Sequence, residues 1–122
     1  KNYGWPVSSY GEHYQGVINR NPNIYKKFPL LKSHSKYGFI EPIHAFIPSI
    51  GICEIIKYEN NKYVASSLNK QSLYFFEIDE NKEIIDMDPL FIGERIRDII
   101  INDDVIFMFL EDSASIASFK IN

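Results

Sequence analysis

Two arginines late in the chain carry the strongest chemical signal in the sequence. Arg95 and Arg97 lie two residues apart in "GERIRDIII", so on a β-strand both side chains would point to the same face. Guanidinium groups held side by side repel each other unless an anion lies between them, and each can bind a carboxylate through two hydrogen bonds. The spacing therefore predicts a site for a ligand with several carboxylates. The alternative is that both arginines pair with Asp98, Glu94 or neighbouring acids on a solvated face.

Three further stretches contain residue types that could do chemistry. "HAFIPSI" places His44 and Phe46 just before a proline, where they could form either the lip of a binding site or a hydrophobic plug under a loop. "SSLNKQSLYFFEI" holds Asn69 and Lys70 in a polar turn, which by itself indicates only a hairpin. Cys53 lies in the apolar run "PSIGICEII", which predicts a buried thiol. No metal-binding HExxH or CxxC pattern and no nucleophile-elbow motif is present.

The elements that must position these residues are predicted to be strands. From residue 46 onward, short apolar runs rich in Ile, Tyr, Phe and Val alternate with turn-forming residues. Runs that start about 8 to 12 residues apart are typical of antiparallel strands, and no capped amphipathic run supports a helix longer than about two turns. We predict seven strands, at Gly51–Tyr58, Tyr63–Ser67, Ser72–Ile78, Ile84–Leu90, Arg95–Ile101, Val105–Leu110 and Ile116–Ile121.

The predicted strands fall into a group of four and a group of three. Four-stranded meanders that repeat every 40 to 45 residues or so are typical of propeller blades, while a seven-stranded sandwich accounts for the count equally well. We therefore expect one all-β domain over residues 1–122, built either as part of a β-propeller or as a sandwich. As part of a propeller it would contain a long irregular, aromatic-rich inter-blade loop region at 1–45, one blade at 46–90 and an incomplete last blade at 91–122.

The bulk composition excludes several classes of partner. The chain has 122 residues and a net charge of −3, so no basic surface for nucleic acid or an anionic membrane is expected. No apolar run approaches the roughly 20 residues that a membrane-spanning helix needs. The single cysteine can form neither an internal disulfide nor a cysteine-rich zinc site.

Four stretches, taken together and in order, resemble the C-terminal third of the glucose/sorbosone dehydrogenase family: "NYGWPVSSYGEHY", "IPSIGI", "SSLNKQSLYFFEI" and "GERIRDIIINDDVIFMFLED". That family comprises soluble aldose sugar dehydrogenases, which are oxidoreductases that use pyrroloquinoline quinone (PQQ) with calcium. The resemblance implies a six-bladed β-propeller, of which this chain would be about two blades, with the remaining blades as its partners. It also implies a sugar substrate and a periplasmic or secreted location.

The resemblance assigns cofactor contacts to four residues. It implies that Arg95 and Arg97 bind the carboxylates of the quinone. The family's lysine in a Ser-Leu-Lys turn falls on Asn69 here, and Lys70 stands next to it. All four are therefore expected at the cofactor.

The resemblance places two more residues near the sugar, because a family tryptophan falls on Phe46 and a family tyrosine lies near His44. The family's general base and calcium ligands lie upstream, so no catalytic residue or metal ligand is expected in this chain. The chain starts with Lys1, and two blades cannot close a ring. We therefore expect a piece of a longer protein that does not oxidise sugars by itself. Two alternatives remain: a related carbohydrate- or protein-binding propeller that has lost the quinone site, or an independent β-sandwich.

Overall fold

The structure is a computed structural model that describes residues 1–5, 7–11, 22–27 and 29–121. Pro6 and residues 12–14 of the aromatic N-terminal stretch lie outside these ranges. The chain divides into two compact units, Lys1–Pro48 and Ser49–Asn122. The first unit contains the predicted loop region and the second contains all the predicted strands.

The first unit is mostly irregular where it is described. Helix α1 spans Pro22–Lys27, a single turn of 3-10 helix spans Ser35–Tyr37, and an isolated parallel bridge joins Ser8 to Leu31. The sequence analysis expected no helix longer than about two turns and an irregular region over residues 1–45, and α1 departs from the irregular region over six residues. Its first residue is proline, whose fixed φ angle suits the first turn of a helix. This departure is local, and the fold class is all-β as predicted.

The backbone turns tightly at Gly4. The carbonyl oxygen of Gly4 accepts hydrogen bonds from the amides of Val7 and Ser8, both at 2.8 Å. The φ angle of Gly4 is +83°, and a Cβ atom at this position would lie 2.8 Å from the ring of Phe39. Any other residue would therefore be strained at this position and would collide with Phe39.

The second unit consists of seven antiparallel strands, and their bounds differ from the predicted ones by at most one residue. Turn residues mark the breaks: Asp103 adopts a left-handed conformation with φ of 54°, and Asp79 accepts a 2.7 Å hydrogen bond from the amide of Glu83. The strands are β1 (Ile52–Lys57), β2 (Lys62–Ser67), β3 (Ser72–Ile78), β4 (Ile84–Phe91), β5 (Ile96–Asn102), β6 (Val105–Leu110) and β7 (Ser115–Lys120).

The strands form two sheets, one with the order β1-β2-β3-β4 and the other with the order β5-β6-β7. Each sheet is a simple meander in which every strand pairs with the next one along the chain. This is the arrangement of propeller blades, whereas an immunoglobulin-type sandwich exchanges strands between its sheets through Greek-key connections. The observed topology therefore favours the blade interpretation over the sandwich.

The core of the second unit lies between the two sheets. Val64 and Leu73 from the first sheet are fully buried, as are Ile96 and Ile106 from the second. The same cluster includes Ile99, Met108 and Leu110. Because both sheets contribute to one apolar cluster, they are held as a pair by burial of side chains that neither sheet could bury alone.

Cys53 contradicts the sequence prediction of a buried thiol, because it is exposed. It lies in β1, which is the edge strand of the first sheet and has five exposed residues out of six. An apolar run predicts buried residues, but on an edge strand its side chains need not pack against other residues of this chain. The Cys53 thiol donates to the carbonyl oxygen of Arg97 at 2.7 Å, so β1 contacts the start of β5.

Candidate functional site

The predicted arginine pair lies where β5 begins. Arg95 directly precedes the strand and Arg97 is its second residue. The pairing of β5 with β6 contains a β-bulge between Ile96 and Asp98. Because of the bulge, the buried residues Ile96 and Ile99 are three positions apart rather than two. The bulge lets Arg97 face solvent while Ile99 turns back into the core.

Both guanidinium groups converge on the side chain of Glu111. Nε of Arg95 donates to Oε2 of Glu111 at 3.0 Å, and Nε of Arg97 lies 2.6 Å from the same oxygen. Nη2 of Arg97 donates to Oε1 of Glu111 at 3.0 Å. One carboxylate therefore bridges both arginines: it accepts one hydrogen bond from each, and Nε of Arg97 makes a further ion-pair contact with it.

The backbone fixes Glu111 in this position. It follows β6 directly, and its amide donates to the carbonyl oxygen of Arg95 at 2.9 Å. The neighbouring pair in the sheet is Ile96 with Leu110. The carboxylate therefore reaches the arginines from the adjacent strand end, and its position depends on the register of β5 and β6.

The arginines lower the pKa of Glu111. The hydrogen bond from Arg97 is the largest cause, and Arg95 adds a second hydrogen bond and its charge, while partial desolvation acts in the opposite direction. Two guanidinium groups and one carboxylate leave one net positive charge. The side chains of Arg95 and Arg97 remain 43% and 45% exposed. The cluster is therefore a cationic surface site that already contains one internal anion.

The pairing with Glu111 agrees with the alternative that the arginines pair with a neighbouring acid, but this acid is neither Asp98 nor Glu94. Asp98 accepts a hydrogen bond from the amide of Ile99 at 2.9 Å. Glu94 accepts two from Ser113, at 3.0 Å from its amide and 2.8 Å from its hydroxyl. The actual partner is Glu111, which sequence reasoning missed because it lies in a turn that is distant along the chain. The one sequence feature that could have identified Glu111 as the partner is its position directly after the strand predicted to pair with β5.

Asn69 and Lys70 lie in the turn between β2 and β3, and both are exposed. The amide group of Asn69 donates from Nδ2 to the carbonyl oxygen of Ser49 at 3.0 Å, and its backbone amide donates to Ile50 at 2.9 Å. Among the described residues, the ammonium group of Lys70 has no hydrogen-bond or ion-pair partner. The two side chains therefore differ in their contacts: Asn69 is hydrogen-bonded to the backbone just before β1, whereas the ammonium group of Lys70 is available to a ligand.

The turn that holds Asn69 and Lys70 lies at the same end of the second unit as the arginines. The carbonyl oxygen of Gln71 accepts hydrogen bonds from the amides of Ile92 and Gly93, at 2.9 and 3.2 Å. These two residues belong to the short link that leads from β4 to Arg95. All four residues predicted to bind the cofactor are thus brought to one end of the paired sheets.

The residues predicted near the sugar lie in the first unit. The rings of His44 and Phe46 contact each other edge to face, with centroids 4.6 Å apart at 78°. His44 is exposed and Phe46 is partly buried. The two residues form one aromatic pair, and a role for them in sugar binding remains a prediction.

A second polar cluster, which the sequence analysis did not find, joins Tyr10, His34 and Glu41 in the first unit. The Tyr10 hydroxyl donates to Oε2 of Glu41 at 2.7 Å, and the Ser35 amide donates to Oε1 at 2.7 Å. These bonds lower the pKa of Glu41 to about 2, with the Ser35 amide as the largest cause. The buried His34 ring stacks on Tyr10, and its Nδ1 lies 3.8 Å from Glu41.

Neither cluster has the ligands of a metal site. In the described ranges, no group of three or more His, Cys, Asp and Glu side chains is placed to hold a metal ion. None of the described helices is long and apolar enough to cross a membrane.

Two antiparallel meanders that share one core define the fold class as that of β-propeller proteins. A crystal structure of glucose dehydrogenase has the same fold over the whole of this chain, with a TM-score of 0.74 and 22% identity. The sequence model of the glucose/sorbosone dehydrogenase family matches residues 1–118. The chain belongs to the glucose/sorbosone dehydrogenase family.

An uncharacterized protein of Synechocystis sp. is 26% identical over 106 residues, which is 81% of this chain. The chain spans 23% of the length of that protein and 35% of the length of the glucose dehydrogenase chain. Most of each relative therefore has no counterpart in these 122 residues.

Proposed function

We propose that this chain is the C-terminal part of a sugar dehydrogenase that uses PQQ, and that Arg95 and Arg97 bind the carboxylates of the quinone. The observation that carries the proposal is the convergence of two exposed guanidinium groups with one net positive charge. Family membership supports the class of reaction. The donors present fit the group, since PQQ is a polycarboxylate and guanidinium groups are the side chains that bind carboxylates best.

The described hydrogen bonds leave donors free for such a ligand. Among the described residues, Arg95 uses only Nε toward Glu111, and Arg97 uses Nε and Nη2. Each guanidinium has five N–H donors, so the outer edges of both groups remain available. Lys70 adds an ammonium group at the same end of the sheets, and it takes over the contact that the family assigns to the position of Asn69.

The quinone, when bound, supplies the redox step by accepting a hydride from the sugar. This chain's share would be to bind and orient that group through its arginines. His44 and Phe46 would line the sugar site. The general base and the calcium ligands would come from the remaining blades, so the 122 residues alone would be inactive. The whole protein would act in the periplasm or outside the cell, as the resemblance implies.

The test is quinone binding by the whole protein, measured by calorimetry with the Arg97→Ala variant. We expect a loss of at least about tenfold in affinity, because a charge-assisted pair to a carboxylate contributes about 1.5–3 kcal/mol. Lys120→Ala is the matched control, since it removes one positive charge that pairs with Asp104 at 3.1 Å. Unchanged binding in Arg97→Ala would remove the role proposed for the arginines.

A second test uses the 122-residue chain itself in a dye-coupled assay with quinone, calcium and aldose sugars. We expect no turnover, and clear turnover would contradict the assignment of the catalytic groups to other blades.

One observation favours a non-catalytic alternative. Asn69, at the family's lysine position, uses its side chain to hold Ser49 rather than to face a ligand. In that alternative the protein is a propeller that binds carbohydrate or protein without quinone. Binding of a sugar by the whole protein, with no measurable quinone binding, would establish the alternative.

A further inference from the structure

The carboxylate of Glu111 contacts both arginines of the candidate site. Its two oxygens make three close contacts to Arg95 and Arg97, at 3.0, 2.6 and 3.0 Å. The turn that follows β6 is already closed by the bond from the Glu111 amide to the Arg95 carbonyl. The carboxylate is therefore placed against the arginines by the backbone, and it occupies the inner edges of both guanidinium groups.

The neighbouring acids do not share this role. Glu94 stands directly before Arg95 in the sequence, but its carboxylate is used by the amide and hydroxyl of Ser113. Asp98 stands directly after Arg97, and its carboxylate accepts the amide of Ile99. Of the acids described here around β5, Glu111 alone contacts the guanidinium groups, so it sets the charge that an incoming anion meets.

We propose that Glu111 is the internal counter-ion of the arginine pair and that it weakens the binding of polycarboxylate ligands to Arg95 and Arg97. The proposal rests on the proposed function for the identity of the natural ligand, but the site itself is defined by the three side chains. An incoming carboxylate that binds the outer guanidinium edges is repelled by the Glu111 carboxylate behind them. With Glu111 ionised the cluster carries one positive charge; without it the cluster would carry two.

The size of the effect follows from Coulomb's law in a solvated site. A single charge about 7 Å from Glu111 is repelled by its carboxylate. At an effective dielectric constant of about 40 to 80, removing this repulsion tightens binding by about threefold to sevenfold. A ligand with three carboxylates gains more than a ligand with one. The gain also falls as salt is added, because the groups are exposed and screened.

The test compares citrate, acetate and PQQ as ligands of the whole protein and of its Glu111→Gln variant, by calorimetry or by NMR of the arginine Nε–H groups. Glutamine keeps the volume and one acceptor but removes the charge. We expect citrate and PQQ to bind about tenfold or more tighter to Glu111→Gln, with a steeper dependence on salt, while acetate, which carries one charge, binds only about threefold tighter.

Two control variants test whether tighter binding comes from the charge of Glu111 itself. One changes the net charge of the protein at another residue, and the other changes the side-chain shape at position 111 without changing its charge. Glu94→Gln makes the same charge change one residue from Arg95 without touching the guanidinium groups, and we expect it to alter citrate binding by less than about twofold. Glu111→Asp keeps the charge on a shorter side chain and should bind citrate like the wild type. Melting temperatures confirm that each variant is folded.

The outcomes are distinguishable from a failure of the proposed function. If citrate binding tightens in Glu111→Gln but PQQ binds neither protein, the counter-ion role stands and the quinone assignment fails. If the wild type binds PQQ and Glu111→Gln binds it equally or more weakly, the counter-ion role is overturned and the quinone assignment stands. An equal gain in Glu94→Gln, or no citrate binding to either protein, also overturns the counter-ion role.

Discussion

The thiol of Cys53 donates to the carbonyl oxygen of Arg97 over 2.7 Å and so joins the edge strand of the first sheet to the bulge of the second. The bond lies beside the arginine pair, at the place where β1 contacts β5. It explains how a cysteine in an apolar run can be exposed and still be held in a defined position.

We predict that Cys53 reacts with a thiol reagent in the folded chain. It is exposed, so a disulfide reagent such as Ellman's should label it under native conditions at a rate near that of the unfolded chain. The measurement is the labelling rate with and without denaturant. Strong protection in the folded chain would mean that the thiol is covered, as the sequence suggested.

The bulge in β5 predicts opposite outcomes for two neighbouring residues. Ile99 is 2% exposed and lies in the core, whereas Ile100 is 60% exposed. Ile99→Ala should lower the free energy of unfolding by about 3 kcal/mol, because it leaves a cavity between the sheets, and Ile100→Ala by less than about 1 kcal/mol. Urea unfolding measures both. If side chains alternated strictly between the two faces of β5 from Arg97 onward, Ile99 would lie outside the core. Equal losses of unfolding free energy in the two variants would therefore contradict the bulge.

The Glu41 cluster predicts a stability that depends on pH. Its pKa is lowered from 4.5 to about 2 by the Ser35 amide and Tyr10. A carboxyl whose pKa is lower in the folded state stabilises the fold above its unfolded pKa, and this stabilisation is lost as the pH falls through the folded pKa. The difference in unfolding free energy between wild type and Glu41→Gln should therefore be greatest above pH 5 or so and shrink toward pH 2.

Two measurements check the Glu41 prediction. The Ser35 amide donates to Glu41, so its NMR chemical shift should titrate with a midpoint of about 2. Glu83→Gln serves as the control for the pH dependence of the unfolding free energy, since Glu83 is exposed and its side chain has no partner among the described residues. A Ser35 midpoint near 4.5 would show that the hydrogen bonds do not hold the carboxylate in solution.

The outer face of the second sheet predicts self-association of the chain. Ile100, Phe109 and Ile116 are 60%, 45% and 75% exposed, and Phe109 pairs with Ile116 across β6 and β7. Apolar side chains that stand together on one sheet face drive association. Ile116→Lys should therefore reduce the sedimentation coefficient or the light scattering at high concentration.

Asn81→Lys provides the control for this prediction, because it adds the same charge in the turn between β3 and β4. If both variants reduce association equally, net charge rather than the apolar face is responsible. A wild-type chain that stays monomeric at high concentration would contradict the prediction directly.

Much of the fold followed from local patterns in the sequence. Strands such as Ser72–Ile78 and Val105–Leu110 were predicted with their exact observed bounds, because turn residues and β-branched or aromatic residues act within a few positions. The pairing of consecutive strands followed from the short turns between them. The short helix α1 was missed, since six residues carry too little periodicity to be recognised.

The site shows where sequence reasoning stopped. The spacing of Arg95 and Arg97 predicted a site for a ligand with several carboxylates, which stays a prediction, and it could not identify Glu111, which lies 14 residues beyond Arg97 along the chain. The sequence by itself determined the strands, the turns and the residues that carry charge. The tertiary structure alone decided the bulge that turns Ile99 inward, the contact of Glu111 with both arginines and the exposure of Cys53. Bulges and packing between sheets depend on contacts between residues that are distant along the chain, which the pattern within one strand does not encode.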